Sequence, residues 1–144
     1  MPEKNIHLVL IGSKEDAQDC SLLAMRLSNL RDTLIDNRAG LCSLVETANL
    51  LSTCNVVLTN DSSLGHIAEN FGVPSIVIFG PTSESFGFYP VLSNSLSVSA
   101  PIGCRPCSKH GKRPCRYKEQ YCFTKIDPVV ISKAIISSCQ TEVV

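Results

Sequence analysis

The chain has 144 residues, 44% hydrophobic and 18% charged, with 13 basic side chains against 13 acidic ones. That length suits one domain with one core, and the balance excludes a disordered tail or an overall basic nucleic-acid binder. The longest apolar runs, such as residues 73–80, fall far short of the about 20 residues a membrane span requires, and Met-Pro-Glu-Lys does not open a secretory signal, so export and membrane spanning are disfavoured.

In chain order, residues 5–11 form a nearly continuous apolar run ended by Gly12-Ser13, the pattern of a strand buried on both faces. Ala17, Cys20, Leu23, Ala24, Leu27 and Leu30 then recur at three- and four-residue steps, predicting a helix over about 14–30 with Ser13 as its N-cap. A short strand at 34–36 leads through Arg38-Ala39-Gly40 to a helix over about 43–52. Residues 55–59 read as a third strand, followed by the polar turn 60–63 and a helix to Asn70 that Gly72 and Pro74 terminate. Residues 73–79 read as a fourth strand, rich in β-branched residues and closed by Gly80-Pro81. Beyond it, residues 82–94 read as loop and 95–98 as a short edge strand. A cysteine-rich loop occupies 102–123, and a last helix over about 128–139 opens with a first-turn proline. Strands alternating with helices predict one α/β domain over residues 1–144, a Rossmann-like, doubly wound parallel sheet.

In such a sheet, ligands bind beyond the carboxyl ends of the strands, where helix N-termini offer free amides to anions. Three strand ends fit: Gly12-Ser13-Lys14-Glu15-Asp16, Thr59 to His66, and Phe79-Gly80-Pro81-Thr82. The middle one combines a carboxylate, two hydroxyls, a helix start and a histidine one turn in. A phosphate would find amides and hydroxyls at Ser62 and Ser63, with His66 as a further donor and Asp61 in the same crevice. The plainer alternative is that Asp61 or Ser62 caps the helix and His66 packs. Gly80 allows close backbone approach and Thr82 adds a hydroxyl. No Walker loop, GxGxxG fingerprint or Gly-x-Ser-x-Gly elbow is present, so P-loop hydrolysis, simple dinucleotide binding and esterase chemistry lose their main support.

The stretch from Asn55 to Thr82, with Asp61-Ser62, His66-Ile67-Ala68, Gly72-Val73-Pro74 and Phe79-Gly80-Pro81-Thr82, strongly resembles glycosyltransferase family nine, the heptosyltransferases of lipopolysaccharide core synthesis. Residues 10–16 and the helix at 43–51 are similar to the family's preceding segments, and the cysteine loop looks like one found in many members. The resemblance implies the carboxyl-terminal, donor-binding half of a two-lobed GT-B enzyme. Asp61, Ser62, Ser63 and His66 would surround the sugar and diphosphate of an ADP-heptose-like donor, with Gly12, Gly80 and Thr82 nearby and Glu15 or Asp16 reaching the nucleoside. Ser63 stands where the family usually has glycine, which implies altered diphosphate geometry or donor choice.

The implied reaction is an inverting glycosyl transfer to a lipopolysaccharide-core or related anionic glycolipid, in the cytoplasm or at the cytoplasmic face of the inner membrane, with no cofactor required. The base would come from an N-terminal acceptor lobe outside this sequence, in the same or a separate chain, so transfer by this chain alone is not expected. His66 and Asp61 would stabilise charge on the leaving group. The rival reading is a non-catalytic nucleotide or nucleotide-sugar binding module, or a truncated relic.

Four of the eight cysteines, Cys104, Cys107, Cys115 and Cys122, are clustered, and six basic residues against one acid fall between the first and last of them. In a reduced compartment their spacing allows a structural zinc site, with free packed thiols, an iron–sulfur cluster or disulfides as alternatives. The cationic face would be solvated or meet an anion: the donor diphosphate, a lipid-linked acceptor or a membrane surface. Tyr117, Tyr121 and Phe123 among the basic residues admit a remoter reading, a zinc-knuckle nucleic-acid binder, although no nucleic-acid partner is expected of a body this acidic.

Overall fold

A computed structural model describes residues 6–140, the side chain of Gln140 excepted. Where the sequence predicts one domain, the chain gathers into two compact units, one up to Asn49 and one from Leu50 onward.

In the first unit, β1 (Ile6–Leu10) pairs in parallel with β2 (Thr33–Asn37), Leu8 opposite Ile35. Between them runs α1 (Ala17–Leu27). The helix starts later than the apolar spacing predicts, and Ser13 does not cap it. Instead the Asp16 carboxylate accepts the Ser13 amide at 2.8 Å and its hydroxyl at 2.7 Å, closing a turn ahead of the helix. Those bonds hold the Asp16 carboxyl below its ordinary range. Gly12 is required there, because a Cβ would lie 2.8 Å from Asp16 Cβ. The two-sided burial expected of β1 is also corrected: Ile6 is 58% and Leu34 64% exposed, and α1 has no buried residue. Two strands and one helix are too few layers to enclose both faces of that sheet.

The helix α2 (Leu44–Ser52) opens with a capping box. Glu46 accepts the Ser43 amide and hydroxyl at 2.7 Å each, and the Glu46 amide donates back to Ser43 Oγ at 3.3 Å.

The second unit carries β3 (Val57–Asn60), α3 (Ser63–Asn70), β4 (Ser75–Phe79) and β5 (Leu96–Ser99) in a parallel sheet of order β3-β4-β5. As the central strand, β4 has its apolar run almost wholly enclosed, with Ile76 and Phe79 fully buried alongside Ala68, Val77 and Val98. Each of those large side chains contributes about 2 kcal/mol or more by leaving water. Gly65 lets α3 lie close on the sheet, since a Cβ would stand 3.3 Å from both Thr59 Cγ2 and Val77 Cγ2.

After β4 a 3₁₀ turn at Glu84–Phe86, capped by Ser83, interrupts the expected loop. Buried Glu69 holds the far end of that segment, accepting the Val91 amide at 3.0 Å and the Leu92 amide at 3.3 Å. A short α4 (Tyr121–Thr124) closes the cysteine-rich loop, and α5 (Pro128–Gln140) follows with Asp127 capping the Val129 amide at 2.9 Å. Among the described residues no helix is long and apolar enough to cross a membrane.

Candidate functional site

At the carboxyl ends of β3 and β4 lies a cleft of about 470 Å³, built entirely from the second unit. It has three walls, of which the first follows from local sequence. After β3 the ladder continues one step, the Asp61 amide donating to Ile78 O at 3.1 Å, and the chain then turns into α3. Ser62 is the N-cap: its hydroxyl accepts the Leu64 amide at 3.3 Å and meets the Thr59 hydroxyl at 2.9 Å. The capping alternative is therefore correct for Ser62, whose oxygen is spent on the helix. Ser63 is the first helical residue, and its amide has no partner within the helix, as the geometry of helix starts requires. Asp61 and His66 both line the cleft. The Asp61 carboxylate has no side-chain bond among the described residues, and the His66 ring stands 6.5 Å from Phe88, tilted by 56°.

The second wall is the turn Gly80-Pro81-Thr82. The ring of Phe123, from α4, lies so close over Gly80 that a Cβ there would come within 2.2 Å of Phe123 Cζ. The third wall is the cysteine-rich loop, which places Lys109, His110 and Gly111 on the cleft. Asp61, Ser62, Ser63, His66, Gly80 and Thr82 are thus brought together. Gly12, Glu15 and Asp16 belong to the first unit and line no part of this cleft.

Phe88, Phe123 and His110 are cleft residues that motif reasoning missed, and Lys109 entered it only as one of six basic residues that could meet the donor diphosphate. The cationic loop was visible as a charge cluster, but nothing in its spacing shows which of its residues turn inward.

The zinc expectation rests on Cys104, Cys107, Cys115 and Cys122. Among the described residues no three His, Cys, Asp or Glu side chains are gathered so as to hold a metal ion. Cys122 is buried, Cys115 is exposed, and Cys107 Sγ points at the Cys104 carbonyl at 3.5 Å. All four are free, with no disulfide among them. Burial pushes the Cys122 thiol up, and the nearby Cys107, Cys115 and Cys104 push it further. The aromatic interleaving that favoured nucleic acid is also divided. Tyr117 and Tyr121 pack on each other at 5.5 Å, Lys125 lies 5.8 Å over Tyr121, and Phe123 is spent on Gly80.

Among known proteins, the model of glycosyltransferase family 9 (heptosyltransferase) matches residues 1–118. Lipopolysaccharide heptosyltransferase 2 of Escherichia coli (strain K12) is 29% identical over 96 residues, 67% of this chain and 27% of that protein. Lipooligosaccharide heptosyltransferase 2 of Haemophilus influenzae is 35% identical over 92 residues, 63% of this chain and 26% of that protein. The chain spans about a quarter of the length of these curated relatives. A crystal structure of a family 9 glycosyl transferase from Veillonella parvula DSM 2008 has the same fold, with a TM-score of 0.67 at 19% identity. That likeness covers 93% of this chain and 36% of the other.

Proposed function

The chain belongs to glycosyltransferase family 9 (heptosyltransferase), and we propose that its second unit binds the nucleoside diphosphate of an ADP-heptose-like nucleotide sugar as the donor-binding part of such an enzyme. One observation carries the reading. The first turn of α3, Asp61 and His66 meet in one cleft at the ends of parallel strands, with the Ser63 amide and the Asp61 carboxylate uncommitted.

In the complete reaction an acceptor hydroxyl oxygen attacks the anomeric carbon of the donor with inversion. The bond from that carbon to the diphosphate breaks, and the electron pair leaves with the nucleoside diphosphate. The hydroxyl proton passes to a base in the acceptor-binding part of the enzyme. Within the cleft, the Ser63 amide and the helix start stabilise the charge gathering on the leaving phosphate, and His66 donates to the same oxygens. The Asp61 carboxylate, which accepts and does not donate, takes hydroxyl hydrogens of the sugar or ribose and so orients the donor. The acceptor is a lipopolysaccharide-core or related glycan, met at the cytoplasmic face of the inner membrane. Ser63, in place of glycine, adds a hydroxyl at the diphosphate.

Calorimetric titration with ADP, ADP-heptose, UDP and GDP tests the reading. We expect saturable binding of one nucleotide class, weakened at least tenfold by Asp61→Ala and by His66→Ala, the loss of about 1.4 kcal/mol or more for each. A folded chain that binds none of the four would end the donor reading.

A further inference from the structure

Resting on the donor reading above, we propose that Lys109 and His110 of the cysteine-rich loop are phosphate-binding residues, supplying the cationic side of the donor cleft. Three observations carry this.

First, both residues occupy the cleft that contains the α3 start and His66. Neither has an ion pair or a side-chain hydrogen bond among the described residues, and the one carboxylate lining the cleft is Asp61. A diphosphate there would meet an ammonium, two imidazoles and a free helix amide, the kind of mixed donor set that holds phosphate oxygens.

Second, the pair sits on a built turn. The Gly111 amide donates to Ser108 O at 3.4 Å, which puts Lys109 and His110 at the two central positions of a four-residue turn ended by Gly111 at φ +67°. A side chain at Gly111 would meet Pro81 Cγ at 3.1 Å and Thr82 Cγ2 at 3.4 Å, so the turn rests directly on the Gly80-Pro81-Thr82 wall.

Third, the approach to that turn is fastened to the same wall. The Cys107 amide donates to Pro81 O at 2.7 Å, and Arg105 donates to Gly80 O at 3.1 Å and Thr82 O at 3.0 Å, with the Glu84 carboxylate 3.6 Å away. A merely solvated cationic face needs no such attachment. Here the backbone that carries the two residues is held at a fixed place on the cleft, which lowers the entropy lost when they bind.

The experiment is titration of the full chain with ADP and with adenosine, comparing the unaltered protein with Lys109→Ala, His110→Ala, the double variant and Lys112→Ala. Lys112 lies in the same loop but does not line the cleft. We expect the double variant to lose about tenfold or more in ADP affinity, since each lost charge-assisted bond is worth about a decade or more. Adenosine should bind within twofold of its original affinity, and Lys112→Ala should stay within twofold for both ligands. Unchanged ADP affinity in the double variant overturns the proposal and leaves the donor reading standing. An equal loss for adenosine, or for Lys112→Ala, also overturns it, because the effect would then be on the whole site or on the diffuse charge of the loop. If the unaltered, folded chain binds no ADP, the donor reading falls and takes this role with it.

Discussion

Replacing Arg105 with alanine tests whether the cysteine-rich loop is fastened to the cleft as described. The side chain is 12% exposed and donates to two carbonyls, Gly80 O and Thr82 O. Hydrogen bonds from a charged donor contribute about 1.5 kcal/mol or more each, so the two together are worth about 3 kcal/mol to the closed loop. The Glu84 contact at 3.6 Å, to a partly exposed carboxylate, adds little. Cys107 provides a local reporter, because its amide donates to Pro81 O on the same wall. If Arg105 holds the loop down, opening becomes easier by that 3 kcal/mol, and amide exchange at Cys107 accelerates by about two decades. Hydrogen exchange followed by NMR measures this directly, with the amides of β4 reporting any global loss. Arg105→Lys should accelerate Cys107 by only about one decade, since a point charge reaches one carbonyl where the fork reaches two. Exchange at Cys107 within threefold of the original in Arg105→Ala would show that the loop is held by something other than this side chain.

Gly80→Ala should destabilise the chain by about 2 kcal/mol in urea unfolding, because the new methyl meets the Phe123 ring and overpacks that contact. Phe123→Leu in the same background should recover part of the loss, whereas an additive double variant would refute the contact. Glu69 should give the chain an acid-labile component. Burial raises its carboxyl, but the Ser95 hydroxyl and the Val91 and Leu92 amides lower it more, leaving it below its ordinary range. A depressed carboxyl stabilises the fold above its unfolded value of about 4.3, and that contribution is lost as the pH falls through the folded value. Urea midpoints measured downward from pH 6 should therefore fall below about pH 4 in the parent and flatten in Glu69→Gln; parallel curves would exclude the effect. EDTA treatment should leave the thermal transition unchanged if the loop is held by Arg105 and the Cys107 amide alone, since no three metal-ligating side chains are gathered among the described residues. Stoichiometric zinc in the purified chain, with a lower transition after chelation, would reverse that conclusion.

Much of the second unit was legible in its residues. The apolar, β-branched run at 73–79 reads as a strand, and it forms β4, central in its sheet with Ile76 and Phe79 fully buried. The polar turn at 60–63 ahead of a helical pattern located α3 and the cleft beside it, because capping is set by residues a few positions apart. The same local logic failed at Ser13. There the Asp16 carboxylate captured the serine's amide and hydroxyl, and the helix began after the turn they form. It failed again for β1, whose apolar residues state a preference for burial without supplying the layers that would enclose them.

The sequence by itself determined the alternation of strands and helices, the family to which the motif from Asp61 to Thr82 points, and the concentration of positive charge between Cys104 and Cys122. These depend on periodicity, capping and composition, which are properties of neighbouring residues. Only the tertiary structure decided that Phe123 covers Gly80, that Arg105 grips the carbonyls on either side of Pro81, and that Lys109 and His110 line the cleft while Lys112 does not. Those contacts join residues more than twenty positions apart, and the Arg105 bonds go to carbonyls that any amino acid would present, so local side-chain patterns do not encode them and they form only when the loop settles onto the sheet.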